Sequence, residues 1–159
     1  MTHKVHWKQL AVCVAIPLAA GGLSALLTRG SMSLFERLHQ PPLAPPEWLF
    51  PIVWTVLFIL MGVACYLTLR AGASDGARKQ ALLPYSFQLA FNFLWPVLFF
   101  NFRWYLPALI WLAALWALIL FTAVRFFRLR KAAGLLLAPY LLWVAFAGYL
   151  NLGIYLLNP

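Results

Sequence analysis

The chain has 159 residues, of which 65% are apolar and only 9% are charged. A soluble domain carries about 25% charged residues, so this composition excludes an ordinary soluble bundle with polar outer helix faces. The net charge of +9 does not indicate a nucleic-acid-binding protein, because the basic residues lie in small groups at the ends of apolar segments. Contacts with anionic lipid headgroups account for the same residues.

Five stretches without ionisable residues each reach the ~20 residues that cross about 30 Å of hydrocarbon as a helix. They are Gln9–Thr28, Trp48–Leu69, Gln80–Phe102, Trp104–Val124 and Ala132–Pro159. The first apolar run continues to Leu27, beyond the ~7–15 residues of a signal-peptide core, so we predict that it is retained as a span. We therefore predict an all-α fold, a single transmembrane bundle of five helices over residues 1–159.

The loop between the first two predicted spans, residues 29–47, is rich in proline. Proline lacks a backbone N–H and restrains the residue before it, so the early part of the segment Pro41–Trp54 should be ordered without being helical. A membrane protein keeps such backbone away from lipid by packing it against protein, usually over a cavity. We predict that residues 29–47 form a lid. Its central residues are Pro41, Pro42, Leu43, Pro45 and Pro46.

Three predicted spans carry stripes of aromatic and polar residues at helical spacing. These stripes are Trp54, Phe58, Met61 and Cys65 on span two, Gln88, Asn92, Trp95 and Phe99 on span three, and Tyr140, Trp143, Ala147 and Leu150 on span five. Aromatic stripes usually belong to a core. Gln88 and Asn92 are costly at bilayer depth unless paired, so they indicate an interior site or an interhelical hydrogen bond. An apolar pocket with a few convergent polar groups is the usual form of a ligand site.

The predicted spans contain no Asp, Glu, Lys, Arg or His. Ion-coupled transporters normally need such residues in the membrane, so the sequence argues against ion-coupled transport. We find no carboxylate pair or nucleophile–base pair, and we predict no catalytic residue. The histidines lie at the terminus or in the loop, and Cys13 and Cys65 lack the spacing of metal ligands, so we predict neither a metal site nor a bound cofactor.

The basic residues divide nine to three between the two ends of the predicted spans. The nine are Lys4, Lys8, Arg70, Arg78, Lys79, Arg125, Arg128, Arg130 and Lys131, and the three are Arg29, Arg37 and Arg103. The positive-inside rule then predicts a cytoplasmic N-terminus and an outward-facing proline-rich loop.

Three segments resemble one known family, the translocator proteins, also called tryptophan-rich sensory proteins or peripheral-type benzodiazepine receptors. The segments are PPEWLFPIVWTVLF (45–58), QLAFNFLWPVLFF (88–100) and PYLLWVAFAGYLN (139–151). Their order and spacing agree with the family over nearly the whole chain. The loop departs from the family pattern, because Leu34, Phe35, Gln40 and Leu43 stand where the family commonly has Trp, Tyr, Lys and Trp.

The resemblance implies a five-helix membrane protein, often homodimeric, that binds porphyrins and synthetic hydrophobic ligands beneath the first loop. It implies a multi-pass location, expected here to be a bacterial cell membrane, with lipid as a further partner. The implied ligand-binding residues are Trp54, Phe58, Asn92, Trp95, Trp143, Ala147 and Leu150. We therefore expect a receptor or sensor for porphyrins. Alternatives are a carrier of porphyrin or lipid-like ligands, a light-dependent porphyrin-degrading protein, and a scaffold without a ligand.

Overall fold

A computed structural model describes residues 5–159, apart from the side chains of Met32 and Leu34; Lys4 lies outside the described residues. The helices are α1 (Trp7–Thr28), α2 (Met32–Phe35), α3 (Leu49–Leu69), α4 (Asp75–Pro96), α5 (Tyr105–Leu129), α6 (Lys131–Leu135) and α7 (Ala138–Leu157). A 3-10 turn at Arg29–Ser31 joins α1 to α2, and a π-helical segment at Val97–Asn101 extends α4. Within residues 5–159, five helical segments are long and apolar enough to cross a membrane, which confirms the predicted all-α bundle.

Local sequence explains where several of these helices begin. The third span starts at Asp75, five residues before the predicted Gln80, because the Ser74 hydroxyl accepts the N–H of Ala77 at 3.3 Å and caps the helix. The fifth span has a short first helix, α6, and then a turn before α7. Pro139 lies in the first turn of α7, where its missing N–H is tolerated.

The five spans form a ring in which helices that follow each other in the chain run in opposite directions, while the neighbours α1 and α4 run in the same direction. Helix α1 packs between α3 and α4, α5 packs between α4 and α7, and α6 returns to α3. The basic residues after position 5 lie mainly at one end, which we call the basic end. Arg125 donates there to Gln80 Oε1 at 3.3 Å, across two spans. The opposite end carries Arg29, Arg37, Arg103 and the proline-rich loop, and we call it the lid end.

Helix α1 packs closely because of its small residues. A Cβ at Gly21 would overlap the ring of Phe58, and a Cβ at Gly62 of α3 would overlap the backbone of Val14. The Ser24 hydroxyl donates to the Phe93 carbonyl of α4 at 2.8 Å. Small residues of this kind let helices approach in lipid, where there is no hydrophobic driving force between them.

A buried hydrogen-bond network connects spans three and five. Tyr140 is fully buried, donates its hydroxyl to Gln88 Oε1 at 2.8 Å and accepts from Asn92 Nδ2. Nearer the lid end, Trp95 Nε1 donates to Asn151 Oδ1 at 3.2 Å. Gln88 and Asn92 are therefore both paired inside the bundle, and Tyr140 is the partner that they share.

The proline-rich loop lies on the C-terminal end of α7. The Asn158 amide receives the N–H of His39 at 2.9 Å and donates to the His39 carbonyl at 3.0 Å. The Tyr149 hydroxyl donates to the Pro42 carbonyl at 2.7 Å. Pro41 is buried against Gly153, where a Cβ would overlap the proline ring. Span five thus holds residues 39–42 of the loop.

Other loop residues remain exposed. Leu43 has a φ of 66°, a left-handed conformation that is uncommon outside glycine, and its side chain is 82% exposed. The pKa of the Glu47 carboxyl is raised, because local desolvation and then the neighbouring Glu36 carboxyl disfavour its charged form. The two lid carboxyls therefore interact with each other.

We expect Tyr140→Phe to lower the free energy of unfolding by about 1–3 kcal/mol, because Gln88 and Asn92 each lose a buried partner. Thermal unfolding in detergent micelles measures this change. Tyr155→Phe is the matched control on the same helix, since Tyr155 is 38% exposed and makes no side-chain hydrogen bond with a described residue. Equal midpoints for the two variants would contradict the structural role of Tyr140.

We expect Gly153→Ala to displace the lid, because the added methyl group meets the Pro41 ring. Gly148→Ala is the matched control, since its Cβ would find Leu112 Cδ2 at 3.9 Å, an ordinary contact. Trypsin cleavage after the exposed Arg37 should become faster in Gly153→Ala and stay unchanged in Gly148→Ala. Unchanged cleavage in Gly153→Ala would show that the Pro41–Gly153 contact does not hold the loop.

Candidate functional site

The predicted binding residues lie around a region where α3 faces α7. The backbone of α7 packs closely on α5, whereas its contacts with α3 are made by aromatic side chains. Trp54 of α3 meets Tyr140 of α7 edge-on, with ring centroids 6.2 Å apart. Phe50 meets Trp143 in the same way at 5.9 Å. Aromatic rings therefore form both walls of this region, which we call the α3–α7 interface.

Trp54 and Phe58 form the wall on α3. Their rings stack with centroids 5.6 Å apart and planes inclined by 28°. The far side of Phe58 packs against Gly21 of α1, so Phe58 is buried and lies behind Trp54. Trp54 is the member of this pair that reaches α7. The Trp54 ring also reaches the network of Gln88 and Asn92 through its contact with Tyr140.

Trp143 forms the wall on α7 and has one unusual property. Its indole nitrogen is buried, and it is the one buried side-chain nitrogen or oxygen without a hydrogen-bond partner in the part of the chain that the structure describes. Three other indoles inside the spans are paired: Trp95 with Asn151, Trp111 with the Phe91 carbonyl at 2.9 Å, and Trp116 with the Leu141 carbonyl at 3.1 Å. An indole N–H in apolar surroundings normally finds an acceptor.

Trp95 lies closer to the lid end than the other predicted residues. It stacks on Phe99 at 5.3 Å, and its N–H is occupied by Asn151, whose own amide donates to the Tyr105 carbonyl at 2.7 Å. Ala147 is buried in the main core, and Leu150 is half-buried. The structure thus places Trp54, Asn92 and Trp143 along one interface and places Trp95 beside its outer end.

Sequence reasoning omitted several residues of this region. Tyr140 was predicted as part of a stripe but not as a binding residue, and Phe50 and Asn151 were not predicted at all. The buried face of α7 runs through Tyr140, Val144, Ala147, Asn151 and Ile154, so it differs from the predicted stripe at Trp143 and Leu150. An amide inside a span was the signal for Asn92, and the same signal was available for Asn151.

The chemistry of the interface suits binding rather than catalysis. Its polar groups are amides, one phenol and the indole N–H groups of Trp54 and Trp143, all neutral. Within the described residues, no cluster of three or more His, Cys, Asp or Glu side chains could hold a metal ion. A flat apolar ligand would find aromatic faces, one unused donor, and the lid contacts of Pro41 and Pro42 on the same helix.

Comparisons with known proteins agree with this architecture. The profile of the TspO/MBR family matches residues 13–157. The chain is 40% identical to a tryptophan-rich protein TspO of Chlorobaculum tepidum, over 94% of this chain and 96% of that protein. It is 38% identical to a tryptophan-rich sensory protein of Cereibacter sphaeroides, over 74% and 72% of the two chains.

A mammalian relative is similar over almost the same length. The chain is 35% identical to the translocator protein of Bos taurus, over 91% of this chain and 87% of that protein. The family match begins within the first span and covers the other four spans and the loop between the first two. This chain is therefore a multi-pass membrane protein that belongs to the TspO/MBR family.

Proposed function

We propose that this protein is a membrane receptor or sensor that binds porphyrins and similar flat hydrophobic ligands at the α3–α7 interface, beneath the lid. The observation that carries the proposal is the unpartnered indole N–H of Trp143. Leaving a buried donor unpaired costs about 1–3 kcal/mol, so a ligand that brings an acceptor recovers this free energy. A porphyrin offers carboxylates and ring nitrogens as acceptors.

The shape of the interface supports a flat ligand. Trp54, Phe50 and Trp143 present aromatic faces and edges, and stacking on such rings favours a planar partner. Since α3 and α7 touch through side chains, ring rotations can open a space without breaking close backbone packing. The names of two relatives, sensory protein and translocator protein, fit a receptor or a carrier.

The lid supports a sensing role. Its contacts with α7 lie at Gly153, Tyr149 and Asn158, on the helix that also carries Trp143. A ligand that displaces Trp143 acts on this helix, so binding and lid position are coupled through one element. A carrier would release the ligand on the other side of the membrane, which vesicle flux would detect. Homodimer formation stays a prediction.

We expect Trp143→Phe to weaken protoporphyrin binding by about 5- to 150-fold, because a ligand contact worth ~1–3 kcal/mol is lost. Quenching of tryptophan fluorescence by protoporphyrin, followed in detergent micelles, measures the affinity. The same substitution should leave the unfolding temperature of the ligand-free protein unchanged or slightly raised, since it removes an unpaired donor.

Trp111→Phe is the control for this experiment. Trp111 stacks on Phe91 at 4.1 Å and donates to its carbonyl, so this substitution should lower the unfolding temperature and leave porphyrin affinity unchanged. Trp143→Phe should therefore change porphyrin affinity and not the unfolding temperature, and Trp111→Phe should change the unfolding temperature and not the affinity. If both weaken binding equally, or if only Trp111→Phe does, the α3–α7 interface is not the porphyrin site.

Illumination of the porphyrin complex separates a receptor from a light-dependent enzyme. We expect the porphyrin absorbance to fall at the same rate with the protein and with a detergent blank. The interface contains no Asp, Glu, Lys, Arg or His side chain that would accept or deliver protons, and its role is to hold the ligand. Faster loss with the protein, abolished by Trp54→Phe, would favour photochemical conversion instead.

A further inference from the structure

A second concave site lies at the lid end, away from the α3–α7 interface. It is a cavity of about 190 Å³ between the start of the lid, the π-helical segment and the start of α5. Its polar lining includes Arg37, Arg103, Ser31 and Tyr105, and its floor is formed by Phe35 and Phe99. It therefore combines two cations with an aromatic surface.

The charges at this cavity are one-sided. The lid end carries three basic residues, and two of them, Arg37 and Arg103, line the cavity. No acidic side chain lines it, and neither arginine forms an ion pair with a carboxylate among the described residues. Glu36 and Glu47, the acidic residues of the lid, do not line the cavity. Two arginines that line one cavity without a counter-charge favour an anion.

The cavity is built by rigid local structure. The Ser31 hydroxyl donates to Asn101 Oδ1 at 2.8 Å, and the Asn101 amide donates to the Leu27 carbonyl at 3.0 Å, which joins the start of the lid to the end of the π-helical segment. Phe35 packs edge-on against Phe99 and Phe100, with centroids 5.7 and 5.2 Å apart. The residues around both arginines are thus held by contacts between the lid and the bundle.

The backbone at Arg103 is strained. Its φ is 54°, in the left-handed region that an arginine seldom adopts. The turn is fixed on either side, because the N–H groups of Phe102 and Trp104 donate to the Val97 and Leu98 carbonyls, each at 3.1 Å. Residues held in such conformations are frequent at ligand sites, and here the strained residue carries one of the two cations.

Size and position identify the class of ligand. Pockets that enclose drug-sized molecules measure about 300–1,000 Å³, so this cavity admits a small anionic group and not a porphyrin ring. Trp104, which directly follows Arg103, is more than half exposed at the end of a span, where tryptophan lies at headgroup level. We propose that Arg37 and Arg103 bind a phosphate group at this cavity, carried by an anionic phospholipid or free in solution. This site is independent of the proposed porphyrin site.

The test uses the full-length protein and two phosphate probes. The first arm measures, by native mass spectrometry, how much phosphatidylglycerol the delipidated protein retains after exposure to phosphatidylcholine vesicles that contain it. The second arm titrates inorganic phosphate and follows binding by ³¹P nuclear magnetic resonance. Both arms compare the unaltered protein with Arg37→Gln/Arg103→Gln and with Arg29→Gln, a lid-end arginine that does not line the cavity.

We expect the double variant to bind the phosphate probe about tenfold or more weakly and Arg29→Gln to bind it as the unaltered protein does. Arg103→Gly separates lost binding from lost folding, because glycine accepts a φ of 54° without strain. This variant should bind weakly while its unfolding temperature stays equal or rises.

The two arms also identify the source of the phosphate. Retention of phosphatidylglycerol with weak inorganic phosphate binding assigns the site to a lipid headgroup, and comparable binding of inorganic phosphate assigns it to a soluble ion. If neither probe binds, or if Arg29→Gln weakens binding as much as the double variant does, the proposal is wrong. Porphyrin affinity should be equal in all these variants, so failure here leaves the porphyrin proposal intact.

Discussion

The need to pair every polar group inside the hydrocarbon region is the constraint on which this structure depends. Water is absent there, so Gln88, Asn92 and Asn151 must find partners within the protein. Tyr140 supplies the partner for two of them, and Trp95 for the third. These bonds connect spans three and five, which lie on either side of α5 in the ring. They fix the rotation of α7 and thereby decide which of its aromatic residues face α3.

The same constraint makes the unpartnered N–H of Trp143 an exception that needs a physical reason. Trp95, Trp111 and Trp116 each donate to an amide or a carbonyl, so a buried indole N–H without an acceptor is not a general property of the packing. It lies next to Phe50, on the side of α7 that meets α3 through aromatic side chains. The cost of this donor is local to that side. The incomplete hydrogen-bond pattern and the proposed binding site thus coincide.

The sequence predicted the five spans and the pairing of Gln88 and Asn92, because charge-free length and polar cost in lipid are strong signals. It could not predict which face of α7 is buried. Every face of this helix is mostly apolar, so only a polar or small residue indicates which face is buried. Asn151 is such a residue, and it was overlooked. The hydrogen bonds between Asn158 and His39 join residues 119 positions apart, and no local sequence pattern predicts them. The positive φ of Arg103 depends on the π-helical segment before it, which Pro96 alone does not specify.

The strength of the lid's attachment decides whether a ligand can move it. Inside the bundle, polar contacts have no competing water, but the bonds of His39 with Asn158 and of Pro42 with Tyr149 are exposed. Exposed hydrogen bonds contribute about 0.5–1.5 kcal/mol each, so these three add a few kcal/mol at most to the apolar contact of Pro41 with Gly153. A ligand shifts the lid only by the difference between its affinities for the attached and the released states. In the proposed receptor, a difference of a few kcal/mol would therefore overcome the exposed bonds of the lid, while the buried network of Tyr140 keeps the helices in place.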